Sequence, residues 1–165
     1  MRIWDIDPGY LNTDLLQSEH RILHETVAVL TARKPGMINS QETSRWFGFG
    51  WALRQRHKLL VAEMNLRGYA DITPVLTRSG RESWPDLERD EPIAQYQMLA
   101  DLYLEQESGR IALPASANQL WAQHKYSVLA RNPALYRRID KRVAGYRRND
   151  DFADLAFQLT RAIRK

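Results

Sequence analysis

The sequence predicts an all-α protein, a compact single-domain bundle of about five to seven helices. Three observations lead there. Apolar residues recur at three-to-four spacing along most of the chain, candidate caps and glycine stops bracket those stretches, and no stretch alternates convincingly enough for a sheet strand. At 165 residues the chain is long enough to bury a core without staples. It has no cysteine, which excludes disulfides and thiolate metal sites and fits a reducing compartment. No apolar run approaches the roughly 18–20 residues of a membrane span. Met1-Arg2-Ile3-Trp4-Asp5 does not read as a signal peptide, so a soluble cytoplasmic protein is expected.

In chain order, Asp7-Pro8-Gly9 is a turn, after which Asn12 or Thr13 can cap a helix. Leu16, Leu23, Val27 and Leu30 are its apolar positions, and Pro35-Gly36 ends it. Asn39 followed by Glu42 reads as a capping box opening a short helix into Arg45-Trp46-Phe47. Residues 51–67 form the clearest helix, with Leu53, Leu60 and Met64 inward and Gly68 as its stop. Residues 71–92 contain Pro74, Gly80, Pro85 and Pro92 and read as a loop, long enough to be functional or mobile. Helices are expected at 93–107, 115–130, 133–147 and 151–164.

The formal charge of +4 is uneven: residues 1–69 carry +2, residues 70–109 carry −6 and residues 110–165 carry +8. A basic end suggests a polyanion such as nucleic acid, since each neutralised phosphate releases counterions; a solvated helical surface is the alternative. Pairing of the acidic middle with the basic end is a further use of the same charges. No phosphate-cradling glycine loop or dinucleotide fingerprint is present. The aromatic run Trp46-Phe47-Gly48-Phe49-Gly50-Trp51 reads as core rather than as a base-stacking platform. Trp84, in the long loop, is the better stacking candidate.

Residues 18–25, Ser-Glu-His-Arg-Ile-Leu-His-Glu, crowd Glu19, His20, Arg21, His24 and Glu25 onto two helical turns. His20 and His24 stand one turn apart, a spacing that can clamp a metal. A zincin needs Glu after the first His, however, and Arg21 is there; nothing positions His124 as a third ligand. The pair therefore reads as a polar helix face, and neither a metal nor a cofactor is expected.

Three stretches occur together and in order: Met1-Arg2-Ile3-Trp4-Asp5-Ile6; residues 15–24, from Leu15-Leu16-Gln17 through Glu19-His20-Arg21; and Ala52-Leu53-Arg54-Gln55-Arg56-His57-Lys58 running through Glu63-Met64 to Arg67-Gly68-Tyr69. This combination resembles the pyrimidine-dimer DNA glycosylase family of the endonuclease V type, first known from a bacteriophage. Arg131-Asn132-Pro133 with Leu135-Tyr136-Arg137 is similar to that family's last motif. The same stretch, with Trp121, His124, Lys125 and Tyr126, also resembles an uncharacterised bacterial domain family. The resemblance spans residues 1–142, leaving 143–165 as an additional helical segment.

The resemblance implies a DNA glycosylase/AP lyase that flips a damaged base out of double-stranded DNA. The nucleophile is the α-amine of the first residue, which attacks the sugar C1′, expels the base and leaves an imine that permits β-elimination. An α-amine has a pKa near 7.7–8.0, so roughly a tenth is neutral at pH 7. Arg2 is too bulky for the usual removal of Met, so Met1 takes the nucleophile's place. Arg21 matches the active-site Arg that holds phosphate; its ordinary role is a helix pair with Glu25. Arg2 and His20 are placed near the DNA, and Arg54, Lys58, Lys125 and Arg131 are further candidate DNA contacts.

The family's catalytic carboxylate follows that Arg, and here the position is Ile22. An alkyl group can neither accept a proton nor stabilise a cationic imine. Glu19 and Glu25 lie three residues to either side, about 60° around the helix and about 4.5 Å along it. Glu25 is the expected stand-in, because Glu19 matches a separate family position. The alternatives are a non-catalytic DNA-binding relative, which Ile22 favours, and a protein-interaction module.

Overall fold

The computed structural model describes residues 2–32, 41–78, 81–85 and 89–163. The expectation of an all-α protein holds. The described residues form seven helices and a 3-10 turn, with no strand among them. The turn is Pro8–Tyr10, and the helices are α1 (Thr13–Thr31), α2 (Gln41–Arg45), α3 (Gly50–Leu66), α4 (Pro92–Leu102), α5 (Ala117–Arg131), α6 (Pro133–Val143) and α7 (Asn149–Ile163). Among the described residues no helix is long and apolar enough to cross a membrane. By packing they group into two compact units, one of residues 1–89 and 107–111, the other of 90–106 and 112–165.

In the first unit the chain start is interior: Ile3, Ile6, Tyr10 and Leu11 are all buried. Asp7 caps the 3-10 turn by accepting from the Gly9 N–H, and Asn12 caps α1 by accepting from the Leu15 N–H. The α1 face turned inward is Leu16, Glu19, Ile22, Leu23 and Thr26, while Val27 and Leu30 are only half-buried. The inward face of α3 is Leu53, Arg56, His57, Leu60, Glu63 and Met64. The helix stops where expected, at Gly68, whose φ of 83° is a left-handed conformation that side chains oppose. Gly109 is forced by packing instead, since a Cβ there would sit 2.3 Å from the Tyr10 carbonyl oxygen. The expected stop at Pro35-Gly36 and the cap at Asn39 lie outside the described residues.

The second unit packs α5 against α6 and α7, and α4 against α7. Ser116 caps α5 and Asn132 caps α6, whose first residue is Pro133, a position where a missing N–H costs nothing. Trp121 donates from Nε1 to Asp140 at 2.8 Å, and Leu120, Leu155 and Leu159 fill the interior. Two helices end earlier than their patterns suggest. The expected 93–107 helix stops at Leu102, and residues 105–109, Glu-Gln-Glu-Ser-Gly, leave it with no apolar face to extend. The expected 133–147 helix stops at Val143, ahead of Ala144-Gly145.

The aromatic run divides. Trp46 is fully buried, as a core reading requires, whereas Phe47 is 67% exposed. Trp84 is not a free stacking platform; it is half-buried, with edge-on contacts to Trp46 and Trp51 at 6.2 and 6.3 Å between ring centroids.

Candidate functional site

Two clusters of polar side chains occupy the first unit. One surrounds the chain start. Glu19 is fully buried and is gripped by Arg56, whose Nε and Nη2 donate at 2.7 and 2.9 Å; it also accepts from the Trp4 N–H at 3.1 Å. The third arm of Arg56 donates to the Ile6 carbonyl at 2.7 Å. Burial pushes the Glu19 carboxyl up, and the charge and hydrogen bonds of Arg56 pull against that rise. This assembly ties the N-terminal segment to α1 and α3. Glu19, a candidate catalytic group from the sequence, has its oxygens engaged by Arg56 and the Trp4 N–H.

Ile22 is only 8% exposed. It lines a pocket of about 370 Å³ together with Glu25, Thr26, Glu42 and Arg89. Arg21 and Glu25 point outward, their side chains 62% and 64% exposed, and form the ordinary helix pair at 4.0 Å. The sequence offers Glu25 of α1 in place of the carboxylate missing at Ile22; Glu42 of α2 is a further carboxylate bound to the N-terminal segment. Glu42 is buried; its Oε1 accepts from the Ile3 N–H at 3.3 Å and from Trp46 Nε1 at 3.1 Å. Its Oε2 has no hydrogen bond among the described residues and stands 3.8 Å from Arg89. The capping-box reading concealed this residue by assigning its side chain to a helix end. Arg45 neighbours it, paired with Asp5 and lying 3.6 Å from Glu42. Met1 lies outside the described residues; Arg2 stacks its guanidinium over Trp4 at 4.6 Å.

The second cluster joins α1, α3 and the segment after α3. The Nε2 atoms of His20 and His24 are 3.3 Å apart, and those of His24 and His57 are 3.1 Å apart. Asp71 Oδ2 lies 3.2 Å from His20 Nε2 and 3.1 Å from His57 Nε2. All four ligand atoms fall within 4.8 Å of one another. Burial, followed by the neighbouring imidazoles, lowers the pKa of His24 and of His57 and favours their neutral forms. Burial would raise the Asp71 carboxyl, but the Thr73 backbone N–H and His20 outweigh it and hold it below the usual range.

His20 and His24, expected to form a polar helix face, are joined by His57 and Asp71 in one cluster. The third partner is His57 rather than His124, which belongs to the second unit. His57 was readable as inward, since it shares a helical face with Leu53, Leu60 and Met64. Asp71 carried no signal, being one polar residue in a segment without periodicity. His20, a candidate DNA contact from the sequence, lies against Asp71.

Of the remaining candidate DNA contacts, Arg54 donates to the Thr77 carbonyl and, at 2.7 Å, to its hydroxyl, so its guanidinium holds the segment after α3. Lys58 is exposed. Lys125 and Arg131 belong to the second unit, Lys125 over the Tyr126 ring at 5.0 Å and Arg131 at the rim of a pocket that includes His124, Asn132 and Leu135.

No curated protein and no solved structure matches the chain. The family model described as pyrimidine dimer DNA glycosylase does match, over residues 1–77, which takes in both clusters except Arg89. Over those residues the chain resembles the pyrimidine dimer DNA glycosylase family.

Proposed function

We propose that the chain is a DNA glycosylase/AP lyase acting on pyrimidine dimers or related base lesions in double-stranded DNA. The match over residues 1–77 carries this reading. The Met1 α-amine attacks C1′ as the glycosidic C–N bond breaks and the base departs with the bonding pair and a proton. The sugar ring then opens as the C1′–O4′ bond breaks, the amine proton passing to O4′, and this gives the imine. Removal of a C2′ proton then breaks the C3′–O bond and releases the phosphate, and water hydrolyses the imine. Arg21 contributes an exposed guanidinium next to Ile22, suited to a phosphate oxygen.

The carboxylate missing at Ile22 is supplied, in this reading, by Glu42. Its Oε1 accepts from the Ile3 N–H, which ties this carboxylate to the N-terminal segment. Its buried Oε2 borders the same pocket as Ile22 and lacks a hydrogen bond among the described residues. Facing Arg89 at 3.8 Å rather than a hydrogen-bond donor, that oxygen is the one that takes a proton or stabilises a cationic imine in this reading. Glu25 borders the pocket too, but it is mostly exposed.

The test is borohydride trapping on duplex DNA holding a cyclobutane dimer, with an abasic-site duplex alongside. An adduct mapped to Met1 on dimer DNA is expected. Glu42→Gln should lower trapping by about a hundredfold or more, the scale of a lost acid–base group, while Glu25→Gln should leave it nearly unchanged. One residue added before Met1 should abolish trapping. The burial of Ile22 favours a second reading, a DNA-binding relative without turnover; salt-sensitive binding with no adduct on either duplex would select it.

A further inference from the structure

We propose that His20, His24, His57 and Asp71 form a four-coordinate zinc site tying α1, α3 and the segment after α3 together. The proposal goes beyond the glycosylase reading and does not depend on it.

Proton counting carries the argument. Three Nε2 atoms and one carboxylate oxygen make four close contacts in a closed ring, from His20 to His24, to His57, to Asp71 and back to His20. An uncharged imidazole nitrogen offers either one proton or one lone pair, and Asp71 Oδ2 offers only lone pairs. Four two-centre hydrogen bonds need four protons, and three nitrogens hold at most three. If all three are protonated, the His24 contacts become N–H against N–H. If His24 is an acceptor, His20 and His57 must each split one proton between two partners. No protonation state satisfies the ring, whereas one cation at its centre satisfies all four atoms at once.

The dimensions agree with a metal. Zinc–nitrogen bonds of about 2.0–2.1 Å place tetrahedral donors about 3.3 Å apart. The four contacts around the ring run from 3.1 to 3.3 Å and all four atoms lie within 4.8 Å of one another, so the two diagonal pairs draw in as the ring folds around the ion. Three imidazoles and one carboxylate suit zinc among the common divalent ions, and four protein ligands make the site closed, as structural zinc sites are. The neutral forms favoured at His24 and His57 are the ones that ligate. The ligands come from α1 at His20 and His24, one turn apart, from α3 at His57, and from Asp71, which Thr73 steadies by donating its backbone N–H at 3.0 Å. That arrangement fixes the helix bearing Arg21, Ile22 and Glu25 against α3.

The full chain, purified without chelator and dialysed against zinc-free buffer, should retain one zinc per chain by elemental analysis. Stripping with a chelator should lower Tm, and added zinc should restore it. His24→Ala and Asp71→Ala should each lose stoichiometric zinc. Because such variants can also fail to fold, the wild-type protein is reloaded with cobalt. Intense visible bands of tetrahedral cobalt are expected. Less than a tenth of an equivalent of zinc retained together with no binding to stripped protein would overturn the site. Weak six-coordinate cobalt bands would overturn the four-coordinate assignment. Neither readout involves DNA, so a failure here is distinct from a failure of the glycosylase reading.

Discussion

In the first unit charged side chains are packed inside: Glu19 and Arg56 between α1 and α3, Glu42 under the chain start, and Glu63 on the inner face of α3. In the second unit no Asp, Glu, Lys or Arg is buried among the described residues; the interior is Tyr96, Leu99, Leu120, Trp121, Leu155 and their neighbours, with Gln95, His124 and Thr160 as its buried polar groups. Its Arg142–Asp154 pair stands half exposed at 3.8 Å. Buried ions are costly to desolvate, so a fold built only for stability would replace them with apolar groups. The unit that retains them is the one matched by the glycosylase family over residues 1–77. Geometry at a site is the natural reason to keep such groups, while the second unit follows the ordinary rule of apolar faces.

The sharpest way to break the contrast is Arg56→Met. It strips Glu19 of its charge partner and should destabilise by about 3–5 kcal/mol in urea denaturation, the cost of an orphaned buried charge. Loss below about 1 kcal/mol would mean that the buried pair is dispensable. Leu120→Ala is the counterpart in the second unit, where the side chain is fully buried. A cavity should cost about 3 kcal/mol by the same measurement, with no pH dependence.

Smaller effects separate the units by pH. Burial alone would raise the Glu63 carboxyl, but hydrogen bonds from Arg110 and Arg67 outweigh it and hold it below the usual range. A depressed acid contributes stability that is complete above its unfolded value and lost as pH falls through the lowered folded value. Glu63→Gln should therefore cost on the order of 1.5 kcal/mol at neutral pH and flatten the acid limb of the stability curve. In the second unit, burial and then Asp154 push the Tyr146 hydroxyl from 10.0 to about 12. A raised folded value means stability is intact below pH 10.0 and is lost as pH climbs towards about 12. Tyr146→Phe should remove that alkaline slope and change little at pH 7. Residue-resolved hydrogen exchange across the pH range checks both.

How far the sequence could be read follows from the same contrast. The 51–67 pattern, Gly68, Asn12 and Pro133 are local devices, and each appears where local chemistry puts it. The clusters are not local. Asp71 meets His20 across 51 positions, and Glu42 meets Ile3 across 39. No periodicity encodes such pairings. Arg56 and Glu63 occupy inward positions of α3 that the apolar pattern would give to hydrophobic residues, so a reading based on polarity looks for them outside. Arg54 is polar and only partly covered, and its bond to Thr77, 23 positions away, is equally invisible to periodicity.

Residues 107–111 bear on any attempt to cut the molecule down. The chain leaves the first unit at Arg89, builds α4 in the second, and comes back for five residues before leaving again. In that return Ile111 donates to the Gly9 carbonyl at 2.8 Å, Asn12 donates to the Glu107 carbonyl at 3.2 Å, and Arg110 grips Glu63 at 2.8 and 2.9 Å. A fragment ending at residue 77 or 89 keeps every residue of the family match but leaves Glu63 with Arg67 alone and the Tyr10 backbone uncovered where Gly109 rests on it. The halves are thus not modular in the sense of beads on a string. A shortened glycosylase-like piece needs the 107–111 clasp grafted back, by a circular permutation or a bridging linker, before its behaviour says anything about the parent chain.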